Sequence, residues 1–492
     1  GRIKANIRDE DTVSRQGGDE FVLLLGNIES FTQCEQMLKR IIEALAEPYY
    51  IDNQLLLISA SIGVSLYPTD NSDLDSLMRH ADQAMYQAKI GGRNRYCLFN
   101  AEQDLIDVEK QIKLKEIRKA LADNEFCLYY QPKVNMATGK VFGAEALIRW
   151  NSPEKGLIPP LQFLPIIEGT DLEILIGNWV INQALKQFDS WKEQGIDIEV
   201  SVNVSSYHLQ SSSFVAYLEK TLALYPKVHS KNLQLEILES SALGDLQSIS
   251  RIIKICINGL GVNIALDDFG TGYSSLTHLR NLPAETIKID QTFVRDVLDD
   301  PNDHAIIDSV IGLAGSFNRN LIAEGVETTE QGLMLLVMGC NQAQGYSISR
   351  PLPVDDFQNW LTDYTPNQKW LSYANKDHTQ KERKIKLFRL TLTQWLEHFE
   401  KNIRSEPGSV EQWPILKRTK CHCGIWIKRV AKEELFEESW LVKLKNAHNE
   451  MHDIADTLFK YYQGAEIDKA KQGLEKLQVA VESLSSIVGQ CE

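Results

Sequence analysis

The segment from Asn263 to Leu276 carries the clearest chemical signal in this sequence. Its apolar run ends in two adjacent carboxylates, Asp267 and Asp268, and a Gly-Thr-Gly turn follows. This order predicts a buried strand that delivers two acids to the rim of a barrel, where a metal and a substrate can meet. Other short apolar runs also carry oxygen ligands or a basic group: Glu145, Asn203, Glu236, Lys288 and Glu324.

These residue types together predict metal-assisted cleavage of a phosphodiester. Hard divalent cations prefer oxygen ligands, and bound metals stabilise charge on phosphorus and make hydroxide from water near neutral pH. Lys288 can orient the attacking water or hold a phosphate, and Glu324 is placed to bind metal or to act as a general base. A single acid of this kind is more often a helix cap or a solvated charge, so the prediction depends on the whole set.

The segments around these residues resemble the EAL family of cyclic-di-GMP phosphodiesterases. The resemblance is carried by the segments 143–150 (Gly-Ala-Glu-Ala-Leu-Ile-Arg-Trp), 263–276, 287–290 (Ile-Lys-Ile-Asp) and 323–327 (Ala-Glu-Gly-Val-Glu). It implies hydrolysis of cyclic-di-GMP to the linear dinucleotide pGpG with Mg or Mn. It covers about half of the chain.

The resemblance also implies a role for each site residue. The implied ligands of two metal ions are Glu145, Asn203, Glu236, Asp267, Asp268 and Glu324. Lys288 would touch the attacking water and Glu324 would be the essential acid, with Glu145 and Asp267 beside them in the catalytic set. Gln131 and Arg149 would contact the substrate, and Gln344 would close the site. Glu239 would fix the loop after Asp268, and Glu327 would support the ligands from behind.

Two other functions remain open at this point. A barrel of this family can act as a non-catalytic receptor that binds cyclic-di-GMP and signals by contact. Such receptors usually lack a metal ligand, and this sequence has the full set, so the enzyme is favoured. A bifunctional cyclase and phosphodiesterase is a third possibility, for a longer parent protein.

The pattern along the chain predicts an α/β protein with an EAL-type (β/α)8-like barrel. Short β-branched runs alternate with helical windows over residues 117–363, which favours such a barrel. A partial α+β domain at 1–100 and a linker helix at 101–116 are predicted before it. A polar linker at 364–384 and an all-α four-helix bundle at 385–492 are predicted after it.

The N-terminal segment resembles the GGDEF diguanylate cyclases. Gly17, Gly18, Asp19, Glu20 and Phe21 match the family's signature, in which the glycines let the backbone approach a phosphate. Arg8 and Asp11 match its inhibitory product-binding site, although a solvated ion pair would explain them equally well. The guanine-binding segment and the other metal-binding aspartate of that family have no counterpart here, so we expect no cyclase activity from this polypeptide.

The C-terminal segment resembles the CZB family of zinc-binding four-helix bundles. His448 and His452 lie four residues apart, on one helical face, and Cys421 begins a Cys-x-x-Gly-x-Trp match. Zinc prefers such nitrogen and sulfur ligands. Leu392 stands where the family has a further histidine, so His398 is the expected fourth ligand, with His422, Cys423 or water as alternatives. Zinc would either regulate the enzyme or only stabilise the bundle.

The bulk composition limits the expected partners and the expected cellular location of the protein. A net charge of −15 without a basic stripe argues against a DNA or RNA partner. Eight scattered cysteines suggest reduced thiols, and no apolar run is long enough to span a membrane. We therefore expect a cytoplasmic protein without membrane contact, although a parent protein can carry upstream sensor or membrane segments. The EAL resemblance implies a homodimer.

Overall fold

A computed structural model describes residues 1–28, 30–52, 54–239, 246–271, 276–406, 409–410, 412–433 and 435–490. The described chain divides into two compact units, residues 1–116 and 117–492. No helix among the described residues is both long and apolar enough to cross a membrane.

The first unit contains short paired strands and helices. Strand β1 pairs antiparallel with β2, β3 pairs antiparallel with β4, and β5 pairs parallel with β6. The elements are Arg2–Ala5 (α1), Thr12–Gly17 (β1), Glu20–Leu24 (β2), Phe31–Ala46 (α2), Tyr49–Ile51 (β3), Gln54–Leu56 (β4), Ile62–Val64 (β5), Leu74–Ile90 (α3) and Tyr96–Leu98 (β6). Helix Ala101–Ala122 (α4) follows and ends in the second unit.

The second unit contains a closed barrel. Its strands are Phe126–Asn135 (β7), Lys140–Ser152 (β8), Glu199–Asn203 (β10), Leu233–Leu238 (β11), Asn263–Phe269 (β12), Thr286–Ile289 (β13), Asn320–Ala323 (β14) and Gln342–Ala343 (β15), with the short strand Gly156–Ile158 (β9) on the edge of β8. Among the described strands the order is β10-β11-β12-β13-β14-β15-β7-β8, and pairing of β8 with β10 closes the ring. Strand β7 runs antiparallel to both of its neighbours, and the other pairs within the ring are parallel.

Helices cover the outside of the barrel and bury one face of each strand. The α-helices are Leu164–Ile167 (α5), Asp171–Glu193 (α6), Ser206–Leu209 (α7), Phe214–Leu224 (α8), Leu246–Ile255 (α9), Leu276–Asn281 (α10), Gln291–Asp296 (α11), Pro301–Ser316 (α12), Thr329–Met338 (α13), Val354–Asp363 (α14) and Gln368–Ala374 (α15). Period-2 alternation on β7 shows the division of faces. Tyr130 packs outward against Trp191 and Phe357, while Gln131 and Lys133 face inward.

A helical bundle completes the second unit. Its described helices are Gln380–Arg404 (α16), His422–Val430 (α17), Glu438–Gln463 (α18) and Ile467–Gly489 (α19). Helix α16 begins with a reciprocal cap between Thr379 and Glu382, and it packs against α13 of the barrel. Buried apolar side chains from these helices form one core, including Phe388, Leu444 and Leu477. The predicted fold class, an α/β barrel followed by a helical region, is confirmed.

Candidate active site

The predicted barrel residues come together on the inner face of the ring. Glu145 lies on β8, Asn203 ends β10, Glu236 lies on β11, Asp267 and Asp268 lie on β12, Lys288 lies on β13, and Glu324 and Gln344 directly follow β14 and β15. Asn203 is the last residue of its strand, but Glu145, Glu236 and Asp267 lie within theirs. Strands in a barrel are tilted and staggered, so an interior position of one strand lies beside the end of another.

Lys288 occupies the centre of the acid cluster. Its side chain is fully buried, and Nζ lies 2.5 Å from Glu236 Oε2 and 2.5 Å from Glu324 Oε1. Asp267 Oδ1 is 3.1 Å away and Glu145 Oε2 is 3.6 Å away. These acids come from separate strands, and the one ammonium group of Lys288 lies where their carboxylates approach one another.

Burial and mutual charge perturb the ionisation of this cluster. Burial raises the pKa of Glu145, and the neighbouring charge of Glu236 raises it further. Burial likewise raises the pKa of Glu324 well above its usual range, and the charge of Lys288 offsets only part of this. Burial also acts on Glu236, but the charges of Lys133 and Lys288 outweigh it and lower its pKa to about 2. The surrounding carboxylates likewise outweigh the effect of burial on Lys288 and raise its pKa well above the usual value. Such shifts are common in catalytic sites.

Asp267, Asp268 and Glu324 offer a site for a divalent cation. One ligand atom from each lies within 4.8 Å of the other two, and oxygen is the donor that Mg²⁺ and Mn²⁺ prefer. Asp268 has a left-handed backbone with φ of 52°, a strained conformation that is common at functional sites. Burial, the charge of Asp267 and a hydrogen bond with Asp290 raise the pKa of Asp268 to about 7.

Two side-chain amides flank Glu145 and are oriented by it. Asn203 Nδ2 donates to Glu145 Oε1 at 2.6 Å, and Gln344 Nε2 donates to Glu145 Oε2 at 2.7 Å. The nitrogen of Asn203 is therefore engaged, so its oxygen is the atom that could bind a metal. Gln344 also donates to Gln131 Oε1 at 2.9 Å, and the buried Gln344 Oε1 has no hydrogen-bond partner among the described residues.

The remaining predicted barrel residues surround this core. Arg149 lies over the ring of Tyr129 at 5.5 Å and donates to the carbonyl of Ile148. Glu239 Oε2 accepts a hydrogen bond from the backbone of Gly270 at 3.2 Å, while residues 272–275 of the predicted loop lie outside the described residues. Glu327 is exposed, outside the buried cluster.

The sequence reading missed the residues that support Glu236. Lys133 Nζ lies 2.7 Å from Glu236 Oε1 and 3.1 Å from Gln234 Oε1, and its side chain is fully buried. It also missed Asp290, which caps α11 and bonds to Asp268. The available signal was a charged residue in the apolar run Tyr129-Tyr-Gln-Pro-Lys-Val134, on the same strand face as Gln131.

A second cluster of ligand-type side chains lies in the bundle. Cys421 Sγ is 3.2 Å from His448 Nε2 and 3.3 Å from His452 Nε2, and all three residues are buried. Burial lowers the pKa of His448 to about 3 and that of His452 to about 4, so both rings are neutral near pH 7. Burial raises the pKa of Cys421 to about 11. Two neutral imidazoles and a thiol match the donors that zinc prefers.

Gly424 allows the turn that places Cys421. The Gly424 backbone N–H donates to Cys421 Sγ at 3.3 Å, and an added Cβ at this position would lie 1.9 Å from the Arg418 carbonyl oxygen. A side chain at position 424 therefore cannot be accommodated without moving the turn.

The predicted fourth ligand, His398, lies elsewhere on α16. Its Nδ1 is 3.2 Å from Asp299 Oδ1, and among the described residues it is not part of the group formed by Cys421, His448 and His452. Cys423 is directed to α16, where its Sγ is 3.7 Å from Thr391 Oγ1. A crevice with room for about one water molecule is lined by Cys421, His452, Leu392 and Asp299, among others.

The N-terminal signature forms a hairpin turn. Gly17 ends β1, Gly18 has a φ of 49°, and Glu20 and Phe21 begin β2. Asp11 accepts hydrogen bonds from the backbone of Arg8 at 2.8 Å and of Gly26 at 3.0 Å. The guanidinium of Arg8 lies 3.6 Å from Glu10 instead, and the side chains of Arg8 and Glu10 are exposed.

Comparison with known families defines the class of the barrel. A family model described as the EAL domain matches residues 114–351, and one described as the diguanylate cyclase, GGDEF domain matches residues 1–95. Residues 114–351 are therefore an EAL domain.

Individual relatives agree with this class. The chain is 41% identical over 358 residues to the bifunctional diguanylate cyclase/cyclic di-GMP phosphodiesterase MucR of Pseudomonas aeruginosa, covering 72% of this chain and 51% of that protein. It is 36% identical over 362 residues to the cyclic di-GMP phosphodiesterase PdeR of Escherichia coli, covering 74% and 54%. The cGMP-bound structure of the EAL enzyme Bd1971 is 30% identical, with a TM-score of 0.51, over 71% of this chain and 92% of that one. The chain spans about half the length of the curated relatives it matches.

Proposed function

We propose that this chain hydrolyses cyclic-di-GMP to linear pGpG with Mg²⁺ or Mn²⁺ as the metal. The observation that carries the proposal is the position of Lys288 Nζ, between the carboxylates of Glu236 and Glu324 at 2.5 Å each and close to Asp267. A single buried acid has many explanations. A buried lysine that contacts acids from several strands indicates that the fold assembles an ionic site there. The relatives named as cyclic di-GMP phosphodiesterases support the same reaction.

The acidic residues would hold the metal ions. The proposed ligands are Glu145, Asn203, Glu236, Asp267, Asp268 and Glu324, and the oxygen-rich donor set fits hard divalent cations. Bound metals would stabilise charge on the phosphate and lower the pKa of a coordinated water. The buried Gln344 Oε1, which has no hydrogen-bond partner among the described residues, would add a neutral acceptor beside Glu145.

The side chains would then carry out the proton transfer. Lys288 donates to the water oxygen and orients it, and Glu324 accepts a proton from that water. The pKa of Glu324, raised by burial, makes it a stronger base than an exposed glutamate. The water oxygen bonds to phosphorus as the bond from phosphorus to the ester oxygen breaks. The released ester oxygen takes up a proton from solvent, and the cyclic dinucleotide is opened. Arg149, partly exposed on β8, is suited to a phosphate or guanine contact. Gln344 bonds to both Glu145 and Gln131, and Gln131 and Gln344 would contact the substrate.

Chromatography of the reaction products tests this proposal. Incubation of the 492-residue chain with cyclic-di-GMP and Mn²⁺ should yield pGpG. Tight binding of cyclic-di-GMP without product would reject the enzyme and favour the receptor.

We also propose that zinc binds the bundle and regulates hydrolysis. Support comes from the buried sulfur and nitrogen atoms of Cys421, His448 and His452, which lie within 4.8 Å of one another. His398 stays a candidate for the fourth ligand, and the crevice beside Cys421 favours water as the alternative. Asp299 of the barrel lines that crevice and bonds to Gln394 and His398 of α16, which provides a contact between the zinc site and the barrel.

Zinc addition and removal test the regulation. The rate of pGpG formation should differ between chain treated with a chelator and chain reloaded with one equivalent of zinc. A Cys421→Ser variant is the matched control and should not respond. If zinc changes neither the rate nor the oligomeric state of the parent chain, zinc only stabilises the bundle.

Further proposals concern the domain boundaries given in the sequence analysis, the oligomeric state and the role of the first unit. We propose a homodimer, which light scattering of the purified chain would test, and a cytoplasmic location, which fractionation of cells that express the chain would test. Residues 1–95 match the GGDEF family, and we propose that this polypeptide forms no cyclic-di-GMP from GTP. A measurable yield of cyclic-di-GMP would contradict that.

A further inference from the structure

Lys133 is a buried cation that the proposed reaction leaves without a role. It lies on β7, and its side chain is fully inside the barrel. Gly143, its partner on β8, lies beside the lysine stem. Burial of a charged amine is unfavourable unless the amine is paired, so the contacts of Nζ indicate what the residue does.

The ammonium group of Lys133 contacts oxygen atoms of three side chains, and the Glu236 carboxylate is the nearest. Nζ lies 2.7 Å from Glu236 Oε1, 3.1 Å from the amide oxygen of Gln234 and 4.0 Å from Glu199 Oε1. Gln234 is itself held at 3.4 Å by Thr286 Oγ1. The neutral Gln234 and the acidic Glu199, together with Glu236, therefore hold the ammonium group in place.

The two oxygens of Glu236 are divided between two lysines. Oε1 is bound by Lys133, and Oε2 lies 2.5 Å from Lys288. Lys288 also contacts Glu324 and Asp267, on the side of the proposed metal site, while the acidic contacts of Lys133 are Glu236 and Glu199. The two lysines therefore have different surroundings, although both contact the Glu236 carboxylate.

We propose that Lys133 is a positioning residue that holds Glu236 Oε1 so that Oε2 alone is presented to a divalent cation. The inference rests on the proposed function, because it assigns a task within the same metal site. With Oε1 held, Oε2 can exchange Lys288 for a cation, and Lys288 becomes free to contact the attacking water. Without Lys133, both oxygens of Glu236 can close on Lys288. Metal binding would then weaken, and Lys288 would be drawn from the water.

A set of variants in the whole chain tests this role. Lys133→Met keeps the length of the side chain and removes the charge, while Lys133→Arg keeps the charge. Leu218→Ala, which truncates a buried side chain on α8, is the control for lost stability. Mn²⁺ binding is followed by electron paramagnetic resonance, with Glu145→Gln used to identify the signal of the barrel site. Thermal unfolding and the Mn²⁺ concentration for half-maximal hydrolysis are measured in parallel.

Lys133→Met should weaken Mn²⁺ binding by about tenfold or more, the range for loss of a residue that orients a ligand. The half-activating Mn²⁺ concentration should rise in the same proportion, and Lys133→Arg should recover part of the loss. Leu218→Ala should unfold at a lower temperature with unchanged Mn²⁺ binding. Unchanged Mn²⁺ binding in Lys133→Met would overturn the proposal and leave Lys133 as a structural counter-ion.

Two further results remain decisive. If Lys133→Met does not fold, Gln234→Met replaces it, since that change removes the amide that holds Lys133 and leaves every charge in place. Unchanged Mn²⁺ binding in both Gln234→Met and Lys133→Arg would then overturn the proposal. If the parent chain binds Mn²⁺ but yields no pGpG, the proposed function fails, while the Mn²⁺ data still decide the role of Lys133.

Discussion

Asp299 Oδ1, in the loop between α11 and α12 of the barrel, lies 3.2 Å from His398 Nδ1 on the first helix of the bundle. The other carboxylate oxygen of Asp299 accepts a hydrogen bond from Gln394 at 3.2 Å. Helix α11 begins directly after Asp290, which bonds to Asp268 and follows the strand of Lys288. A movement of α16 can therefore be transmitted to the acid cluster through Asp299 and the one helix, α11, that separates Asp299 from Asp290.

Replacing Asp299 should separate zinc binding from zinc regulation. Asp299→Asn keeps the shape of the side chain and removes the charge that holds α16. We expect zinc affinity, measured against a chromogenic chelator, to change less than about threefold, since Asp299 is outside the Cys421–His448–His452 group. The response of hydrolysis to zinc should be lost. Asp296→Asn, in an exposed ion pair with Arg295, should keep the full response, and a normal zinc response in Asp299→Asn would rule out this route.

Loss of Glu145 should abolish hydrolysis without abolishing substrate binding. Glu145→Ala removes a proposed metal ligand and the acceptor for Asn203 and Gln344. We expect the turnover rate to fall about 100-fold or more. Calorimetry should still detect cyclic-di-GMP, because Arg149 and Gln131 remain. Glu330→Gln, which alters an ion pair with Lys369 on the barrel surface, should retain at least about half of the activity. Turnover at the parent rate in Glu145→Ala would show that Glu145 is not part of the active site.

Mn²⁺ binding should weaken as the pH falls through about 7. Burial and the charge of Asp267 raise the pKa of Asp268 to about 7 in the metal-free protein. Protons on Asp268 therefore compete with the metal below this pH, and the raised pKa values of Glu145 and Glu324 add proton competition of their own. Calorimetric titrations should show affinity that falls as the pH is lowered, by about tenfold per pH unit or more below pH 7. Asp268→Asn should bind more weakly and lose the part of this dependence that belongs to Asp268. Equal affinity at about pH 6 and pH 8 in the parent chain would show that Asp268 is not a ligand.

A side chain at position 424 should disrupt the cysteine–histidine cluster. Gly424→Ala places a Cβ 1.9 Å from the Arg418 carbonyl oxygen, so the turn that orients Cys421 must move. We expect a loss of about 1–3 kcal/mol in the free energy of unfolding, measured with urea, and weaker zinc binding. Gly312→Ala is the matched control, because no atom lies within 4 Å of its added Cβ on α12, and alanine is the better helix former. Parent-like stability and zinc affinity in Gly424→Ala would show that the turn adapts.

The residues of the candidate sites were largely predictable from local sequence. Asp267 and Asp268 end an apolar run, which predicts a buried strand that carries two acids to the rim of the barrel. His448 and His452 are four residues apart on α18, a spacing that places both rings on one side of a helix. The helical period brings the two histidines together, whereas adjacent strand residues alternate between faces, and the left-handed backbone of Asp268 was not predictable from the strand pattern.

The partners of these residues depended on tertiary structure. Lys133 and Glu236 are 103 positions apart and meet at 2.7 Å, and Asp299 and His398 are 99 positions apart. Strand period predicts which face a side chain occupies, but the closure and stagger of the barrel decide which strands face one another across its interior. His398 shows the same limit, since it faces Asp299 rather than joining the group around Cys421. Sequence by itself therefore determined which residue types supply the two clusters, because the acids accompany apolar runs and the histidines have helical spacing. Only tertiary structure decided how Glu236 is held and where the bundle contacts the barrel, because both depend on packing between distant elements.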